Sequence, residues 1–181
     1  MSDLTNAGVA VIGGGAAGLM AAYSAARYGA RVTLFERNDR CGRKLAITGK
    51  GRCNITNACE DVETLLKNVI TNNRFLYSAF YQFNSFDTMR FFDSLGIELK
   101  TERGNRVFPV SDKSKDIRDA LVRYAVDCGV CFCRDEIHSI EPLLDGIGLY
   151  GKKEKYFIKK KRLSNKFALR WLSLSKPPHL G

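Results

Sequence analysis

The first forty residues alternate short apolar runs with one alanine-rich stretch. Residues 9–12 form an apolar run that ends in glycines, which indicates a buried strand. Residues 16–28 contain no proline and no glycine other than Gly18, and Gly29 follows them, so we expect a helix that ends at this glycine. Residues 31–36 (RVTLFE) have the β-branched and aromatic content of a second strand. The pattern therefore predicts a βαβ unit.

A loop and then a helical region follow this unit. Residues 38–57 have loop composition, whereas residues 61–95 have a helical pattern rich in phenylalanine, which predicts two or three helices. Ser85 is placed to cap the last of them, with Asp87 in its first turn, and Gly96 is placed to end it.

The next forty-five residues return to a mixture of strands and a helix. We expect a helix over residues 116–128, ended by Gly129. Short strands that can pair around Gly104 come before it, and two further strands come after it; the predicted strands cover residues 97–101, 106–110, 130–133 and 136–140.

The positive charge of the chain is concentrated near its end. The net charge is +10, but residues 152–181 hold ten of the 29 Lys and Arg residues and one of the 19 acids. Residues 1–151 are therefore nearly neutral. We expect a folded domain over residues 1–151 and a basic tail over residues 152–181 that is disordered or not native to the protein. We do not expect the nearly neutral core to bind nucleic acid, whereas the charge of the basic tail does not exclude such binding.

Composition narrows the class of protein further. The N-terminal residues lack the features of a signal peptide, and no apolar run approaches the ~18 residues of a membrane span, so we expect a cytoplasmic protein with no membrane partner. Among the six cysteines Cys128 and Cys131 alone have CxxC spacing, and the chain has two histidines. A zinc site needs further paired ligands at regular spacing, so no metal site is expected. Most of the cysteines are expected to be reduced core residues.

Residues 13–18 (GGGAAG) match the dinucleotide-binding pattern GxGxxG between the first predicted strand and helix. Gly13 permits the tight turn, Gly15 lets the backbone approach a pyrophosphate, and Gly18 lets the helix pack closely on the strand. The N–H groups at the helix start, including those of Ala16 and Ala17, face the phosphates.

Glu36 ends the second predicted strand, eighteen residues after Gly18. An acid at this point accepts hydrogen bonds from a ribose diol and disfavours a 2′-phosphate. FAD or NAD therefore fits the site better than NADP, and the residues alone leave the choice between FAD and NAD open.

Residues 37–57 (RNDRCGRKLAITGKGRCNITN) resemble the second signature of the aminoacetone-oxidase-type FAD-binding family, also described as BaiN/RdsA-type NAD(P)/FAD-dependent oxidoreductases. The resemblance extends to VAVIGGGAAGLMAA, to NRVFPVSDKSKDIRDAL and to the strand pair ending in EIHSIEP. It implies an α/β fold: a Rossmann-like FAD-binding domain of the glutathione-reductase type, incomplete and with a helical insertion at residues 61–95.

The resemblance implies that the TGKGRCNITN segment follows FAD from the ribose towards the isoalloxazine ring. Its glycines permit close approach, its basic residues supply positive charge, and Thr48 and Asn54 can hydrogen-bond the ring edge. Cys53 is expected to be a packed thiol near the cofactor, with a redox role as the alternative. The backbone of Ile137 is expected to meet the adenine. The candidate cofactor-binding residues are Gly13, Gly15, Ala16, Ala17, Gly18, Glu36, Arg37, Gly42, Lys44, Thr48, Gly49, Arg52, Cys53, Asn54 and Ile137.

Members of this family are longer, and the pattern after Tyr156 has no usable periodicity, so we expect a truncated or frameshifted chain with one sheet edge unpaired. Two functions stay open. One is an FAD-binding oxidoreductase of unknown substrate with NAD(P)H as a possible electron donor, and the other is a non-catalytic dinucleotide-binding fragment. RNA-linked chemistry, known for some relatives, is a third and less favoured possibility. No catalytic residue is assigned, because the substrate-side residues of the family lie beyond this chain.

Overall fold

The computed structural model describes residues 8–159, which form nine strands and six helices in that range. The strands are β1 (Val9–Ile12), β2 (Val32–Phe35), β3 (Thr56–Asn57), β4 (Leu99–Glu102), β5 (Arg106–Pro109), β6 (Cys131–Cys133), β7 (Ile137–Leu143), β8 (Gly146–Gly151) and β9 (Lys155–Lys159). The helices are α1 (Ala16–Arg27), α2 (Arg43–Ile47), α3 (Val62–Lys67), α4 (Asn73–Gln82), α5 (Ser85–Ser94) and α6 (Ser114–Asp127), and a 3-10 turn covers Thr48–Gly51.

A parallel sheet in the order β1-β2-β6 organises the domain. The predicted βαβ unit is confirmed, because β1 and β2 pair in parallel on either side of α1. Helices α1 and α6 share one core with this sheet, built around Leu19, Leu34, Ile117 and Leu121. Among the described residues, β1 pairs with β2 alone, so one side of β1 has no partner strand there.

An antiparallel meander, β7-β8-β9, packs against the parallel sheet around a second core cluster. Phe35 of β2 contacts this cluster, which includes Leu149, Tyr156 and Ile158. The sequence predicted β7 but neither β8 nor β9, because three glycines dilute the strand pattern of β8 (GIGLYG). Strand β9 extends the sheet past the boundary predicted at residue 151, and the remainder of the predicted basic tail lies outside the described residues.

A small antiparallel sheet in the order β3-β5-β4 contains the predicted hairpin. Its loop has left-handed backbone at Gly104 and Asn105, with φ of 77° and 56°. The segment 38–57, predicted as loop, also contains the five-residue helix α2 and the 3-10 turn. A helix this short is below the length at which an apolar periodicity can be recognised.

The predicted helical insertion is confirmed as three helices, α3, α4 and α5, but the predicted cap of α5 is wrong. Asn84, not Ser85, is the N-cap residue: its side chain accepts from the Asp87 N–H at 3.0 Å, and the Asp87 carboxylate accepts from the Asn84 N–H at 2.9 Å. Ser85 is the first helical residue, and its buried hydroxyl has no hydrogen-bond partner among the described residues. None of the helices in residues 8–159 combines the length and apolar character that crossing a membrane would require.

The reciprocal hydrogen bonds between Asn84 and Asp87 form a capping box, so the neighbouring residues Asn84 and Ser85 can be tested as a matched pair. Substitution Asn84→Ala is expected to lower the free energy of unfolding by about 1 kcal/mol, because it removes one reciprocal cap of a helix whose Phe92 lies in the core. Substitution Ser85→Ala is expected to be neutral or stabilising, because a buried hydroxyl without a partner is removed. Urea denaturation of both variants measures the difference, and an equal or larger loss for Ser85→Ala would contradict the assigned cap.

Candidate functional site

A cavity of about 560 Å³ lies at the carboxyl ends of β1 and β2. Open α/β sheets place ligands at this end of their strands. The cavity walls come from three connections: β1 to α1, β2 to α2 with the start of the 3-10 turn, and β6 to β7. The lining residues are Ile12, Gly13, Gly14, Gly15, Ala16, Phe35, Glu36, Arg37, Asn38, Gly42, Arg43, Lys44, Leu45, Thr48, Asp135, Glu136 and Ile137.

The glycine-rich turn joins β1 to α1 at the floor of this cavity. Gly13 has a φ of 98°, a value that favours glycine, and its N–H donates to the Phe35 carbonyl at 2.8 Å. Gly15 is the N-cap residue of α1 and supplies no side-chain cap. The first turn of α1 therefore presents backbone N–H groups at the cavity wall, where an anion can accept their hydrogen bonds.

The glycines at positions 14, 15 and 18 of the turn differ in the space around them. A Cβ on Gly18 would overlap the Gly13 carbonyl oxygen, so close packing of α1 on the turn requires this glycine. A Cβ on Gly14 would overlap the sulfur of Cys41 and lie 3.1 Å from a Glu36 carboxylate oxygen. Around Gly15 nothing lies within 4 Å of such a Cβ, so this position faces open space. Ala17 lies in α1 and is not part of the cavity lining.

Glu36 links the turn to the segment after β2. One carboxylate oxygen accepts from the Gly14 N–H at 2.7 Å, and the other accepts from the Asn38 N–H at 2.8 Å and from the Asn38 side chain. Burial alone would raise the pKa of Glu36, but the backbone hydrogen bonds from Asn38 and Gly14 outweigh it and hold the pKa below its ordinary value. Glu36 is therefore an ionised acceptor at neutral pH.

The start of the second motif is hydrogen-bonded to the first. The Gly42 N–H donates to the Gly14 carbonyl at 2.7 Å, and Arg43 donates to the side-chain oxygen of Asn38 at 2.6 Å. Gly42 has a φ of 71°, and a Cβ on it would lie 2.7 Å from the Arg118 side chain on α6. These bonds bring Arg43 and Lys44 to the same cavity as the glycine-rich turn.

The TGKGRC segment lies mostly behind the cavity. Thr48 lines it and donates to the Leu45 carbonyl at 3.0 Å. Gly49, Lys50 and Cys53 all have left-handed backbone, with φ of 57°, 58° and 62°. A Cβ on Gly49 would lie 2.9 Å from both the Asn54 N and the Phe108 ring, so Gly49 is needed for packing.

Cys53 faces the protein interior, whereas the neighbouring Asn54 is exposed. Cys53 is fully buried, and burial raises the pKa of its thiol, so the structure supports the packed thiol over a thiolate. The Asn54 carboxamide can donate to the carbonyls of Thr56 at 3.0 Å and Val107 at 3.2 Å.

Arg52 takes part in a surface ion network rather than in the cavity lining. Its guanidinium lies 2.8 Å from Glu102, 3.3 Å from Asp112 and 4.1 Å from the centre of the Phe108 ring. Lys100 lies 2.6 Å from Asp112 and completes the network. The contacts hold the segment 48–53 on the β4–β5 hairpin.

Nine of the fifteen predicted residues line the cavity, while Ala17, Gly18, Gly49, Arg52, Cys53 and Asn54 do not. Ile137 lines it together with Asp135 and Glu136, which the sequence prediction missed. Asn38 was also missed, although its position two residues after Glu36 could have indicated it. No comparable sequence signal marks Asp135, because its hydrogen-bond partners include Tyr156, 21 residues away.

Cys41 gives a test of this packing. Burial, with a smaller contribution from the Glu36 charge, raises the pKa of its thiol to about 11. At pH 8 we therefore expect iodoacetamide to modify Cys41 much more slowly than the exposed Cys131, with a rate that keeps rising to about pH 11.

Peptide mass spectrometry after timed alkylation measures both rates in one sample. Substitution Glu36→Gln should lower the pKa of Cys41 and speed its modification. Equal rates for Cys41 and Cys131 at pH 8 would show that the packing of Cys41 against Gly14 is wrong.

Comparison with known proteins gives relatives of the same domain. The chain is 36% identical over 115 residues to a 3-dehydro-bile acid delta(4,6)-reductase of Clostridium scindens, covering 62% of this chain and 27% of that protein. It is 31% identical over 131 residues to a ribosomal RNA dihydrouridine synthase of Escherichia coli, covering 72% of this chain and 32% of the relative. The chain thus spans about 30% of the length of these curated relatives.

Solved structures share the fold at low sequence identity. A 3-ketosteroid-delta4-(5alpha)-dehydrogenase from Rhodococcus jostii superposes with a TM-score of 0.65 at 16% identity, covering 86% of this chain and 44% of that one. A flavocytochrome c3 fumarate reductase superposes with a TM-score of 0.63 at 21% identity, covering 88% of this chain and 33% of that one. These likenesses confirm the predicted Rossmann-like fold.

The family comparison matches residues 7–161 to the HI0933-like protein Rossmann domain, which is most of the chain. The match confirms the predicted BaiN/RdsA-type resemblance and the predicted Rossmann-domain class. With the turn, Glu36 and the second motif joined around one cavity, this chain belongs to the HI0933-like family.

Proposed function

We propose that residues 8–159 form the FAD-binding part of a flavin-dependent reductase. The observation that carries the proposal is one cavity shared by the glycine-rich turn, Glu36 and the start of the second motif. The family supports FAD over NAD at this site. When bound, FAD supplies the hydride- and electron-transfer chemistry.

The residues at the cavity fit the parts of FAD. The open space around Gly15 and the uncapped start of α1 suit a pyrophosphate, since backbone N–H groups can donate to it. The ionised Glu36 can accept from the adenosine ribose, and Arg43 and Lys44 supply positive charge on the α2 side. The predicted roles of Thr48 and of the Ile137 backbone belong to this proposal, because both residues line the same cavity.

The names of the relatives support a reduction as the reaction class. One is a delta(4,6)-reductase of a 3-dehydro-bile acid, and the other makes dihydrouridine, which is uridine with its pyrimidine C=C bond saturated. In both named substrates, the C=C bond that is reduced can be conjugated with a carbonyl group. For the whole protein we infer that the substrate contains an electron-poor C=C bond and that NAD(P)H is the electron donor. We propose that the protein acts in the cytoplasm.

RNA as the substrate is a second candidate because of the 31% identity to the ribosomal RNA dihydrouridine synthase. Residues 1–151 are nearly neutral, so the charge that would attract RNA lies in residues 152–181. Salt-sensitive RNA binding that persists after deletion of residues 160–181 would favour RNA. Saturation of a small conjugated ketone without RNA binding would favour a small molecule.

The proposal predicts a yellow protein with flavin absorption after purification or after incubation with FAD. Substitution Gly15→Ala is expected to weaken FAD binding at least roughly tenfold, because its methyl group would occupy the space assigned to the pyrophosphate. The fold should tolerate it, since the φ of Gly15 is −77° and no atom lies within 4 Å of the added Cβ.

Substitution Gly8→Ala is the matched control, because its Cβ would meet Arg31 backbone atoms at an ordinary 3.8 Å and Gly8 is not part of the cavity lining. Fluorescence titration with FAD gives the dissociation constants. FAD affinities that are the same for Gly15→Ala and the wild type would contradict the assigned site. FAD binding without any NAD(P)H consumption would instead favour a dinucleotide-binding fragment without turnover.

A further inference from the structure

Asp135 is a buried acid beside the cavity with no basic side chain paired to it among residues 8–159. It is 3% exposed, and it is the one charged residue among the buried residues of that range. A buried carboxylate is costly unless hydrogen bonds satisfy its oxygens. The hydrogen-bond donors to the Asp135 carboxylate therefore identify the parts of the chain that fix its position.

Four donors surround the Asp135 carboxylate. The N–H groups of Glu136, Lys153 and Glu154 donate at 2.7, 3.0 and 3.2 Å, and the Tyr156 hydroxyl donates at 2.8 Å. Burial alone would raise the pKa of Asp135, but these bonds, led by that of Tyr156, hold the pKa below its ordinary value. The carboxylate is therefore charged at neutral pH and fixed by its neighbours.

The donors come from separate parts of the chain: the β6–β7 connection, the β8–β9 turn and β9. Two further bonds join the same parts, from the Lys152 N–H to the Glu136 carbonyl at 2.9 Å and from the Lys153 ammonium to the Arg134 carbonyl at 2.8 Å. Gly151 leaves the room that the carboxylate occupies, because a Cβ there would overlap it.

The connection held in this way is also one wall of the cavity. The cavity is lined by Asp135, Glu136 and Ile137. The Glu136 carboxylate lies 3.6 Å from the guanidinium of Arg37, the residue that follows Glu36 in the sequence. The Glu36 N–H donates to the Cys133 carbonyl at 3.0 Å, which places this wall next to the predicted ribose acceptor. The wall therefore faces the adenosine end of a dinucleotide whose ribose binds Glu36.

We propose that Asp135 is a positioning residue: through Tyr156 and the β8–β9 turn, it holds the β6–β7 connection against the adenosine end of bound FAD. The inference rests on the proposed function, which places FAD in this cavity. It gives β9 a part in cofactor affinity although none of its residues lines the cavity.

The test uses the full-length chain with Tyr156→Phe, which removes one hydroxyl. Tyr150→Phe is the matched control, because the Tyr150 hydroxyl also donates to a carboxylate, Glu141, on the same meander but away from the cavity. Calorimetry gives the dissociation constants for FAD and for ADP. Tyr156→Phe should weaken both ligands by roughly tenfold, since a hydrogen bond to a charged group is lost, while Tyr150→Phe stays within roughly twofold of the wild type.

Two further measurements separate positioning from loss of folding. Both variants should be fully folded at the titration temperature. The absorption maxima of bound FAD should not move, because the change lies at the proposed adenosine end and not at the isoalloxazine end. Hydrogen exchange at the Glu136, Lys153 and Glu154 amides should accelerate in Tyr156→Phe alone. Substitution Asp135→Asn should weaken the binding of FAD and ADP more than Tyr156→Phe does. If the Asp135→Asn variant does not fold, the result for Tyr156→Phe decides whether the positioning role holds.

The outcomes are distinct. If folded Tyr156→Phe binds FAD and ADP as tightly as the wild type does, the positioning role is overturned. The proposed function still holds in that case, because the wild type binds FAD. Weaker FAD binding with unchanged ADP binding also overturns it, since the adenosine end would not be affected. Absence of FAD binding by the wild type overturns the proposed function and this inference with it.

Discussion

Burial of β2 on both faces is the constraint on which the rest of the domain depends. All four of its residues are buried: Leu34 packs with α1 and α6, and Phe35 packs with the meander. Strands β1 and β6 flank it in the sheet, so the strand is fixed on every side. Glu36 follows directly and inherits this fixed position, because its N–H is bonded to β6 while its side chain is bonded to the turn after β1. The candidate ribose acceptor is thus placed by hydrophobic packing before any ligand binds.

The elements that the sequence predicts well are those whose signal is local. The βαβ unit, α6 and the β4–β5 hairpin each combine a periodic apolar pattern with a glycine at the expected end. The elements it misses depend on distant contacts. Gly42 is the N-cap residue of α2, and its N–H donates to the Gly14 carbonyl. In the last turn of α2, the Ala46 carbonyl accepts a hydrogen bond from the Ser114 hydroxyl at 2.9 Å.

The same distinction applies to single residues of the site. Gly13, Gly15 and Glu36 could be predicted because the dinucleotide pattern fixes their spacing within one βαβ unit. Asp135 could not, because the groups that fix its carboxylate come from the β8–β9 turn and from β9, which are distant in the sequence. Asn84 and Ser85 are both good cap residues by type, and only the path of the chain into α5 decides between them.

The TGKGRC segment shows how one motif can serve packing and chemistry together. In the described part of the chain, its first residue, Thr48, reaches the cavity, whereas Gly49 and Arg52 pack on Phe108 and Cys53 is buried. The left-handed backbone of Cys53 coincides with full burial of its side chain, and such a conformation is unfavourable for a residue with a Cβ unless its surroundings fix it. The cofactor roles predicted for Gly49, Arg52, Cys53 and Asn54 stay predictions.

The ion network around Arg52 has a further consequence for the behaviour of this segment in solution. Its two cations and two anions, Arg52, Lys100, Glu102 and Asp112, are partly exposed, so mobile ions can screen their attraction. Cys53 is fully buried, and its apolar packing is not subject to that screening. Concentrated electrolyte would accordingly weaken the outer, ionic attachment of the loop, while the packing of the buried Cys53 side chain keeps the inner attachment in place.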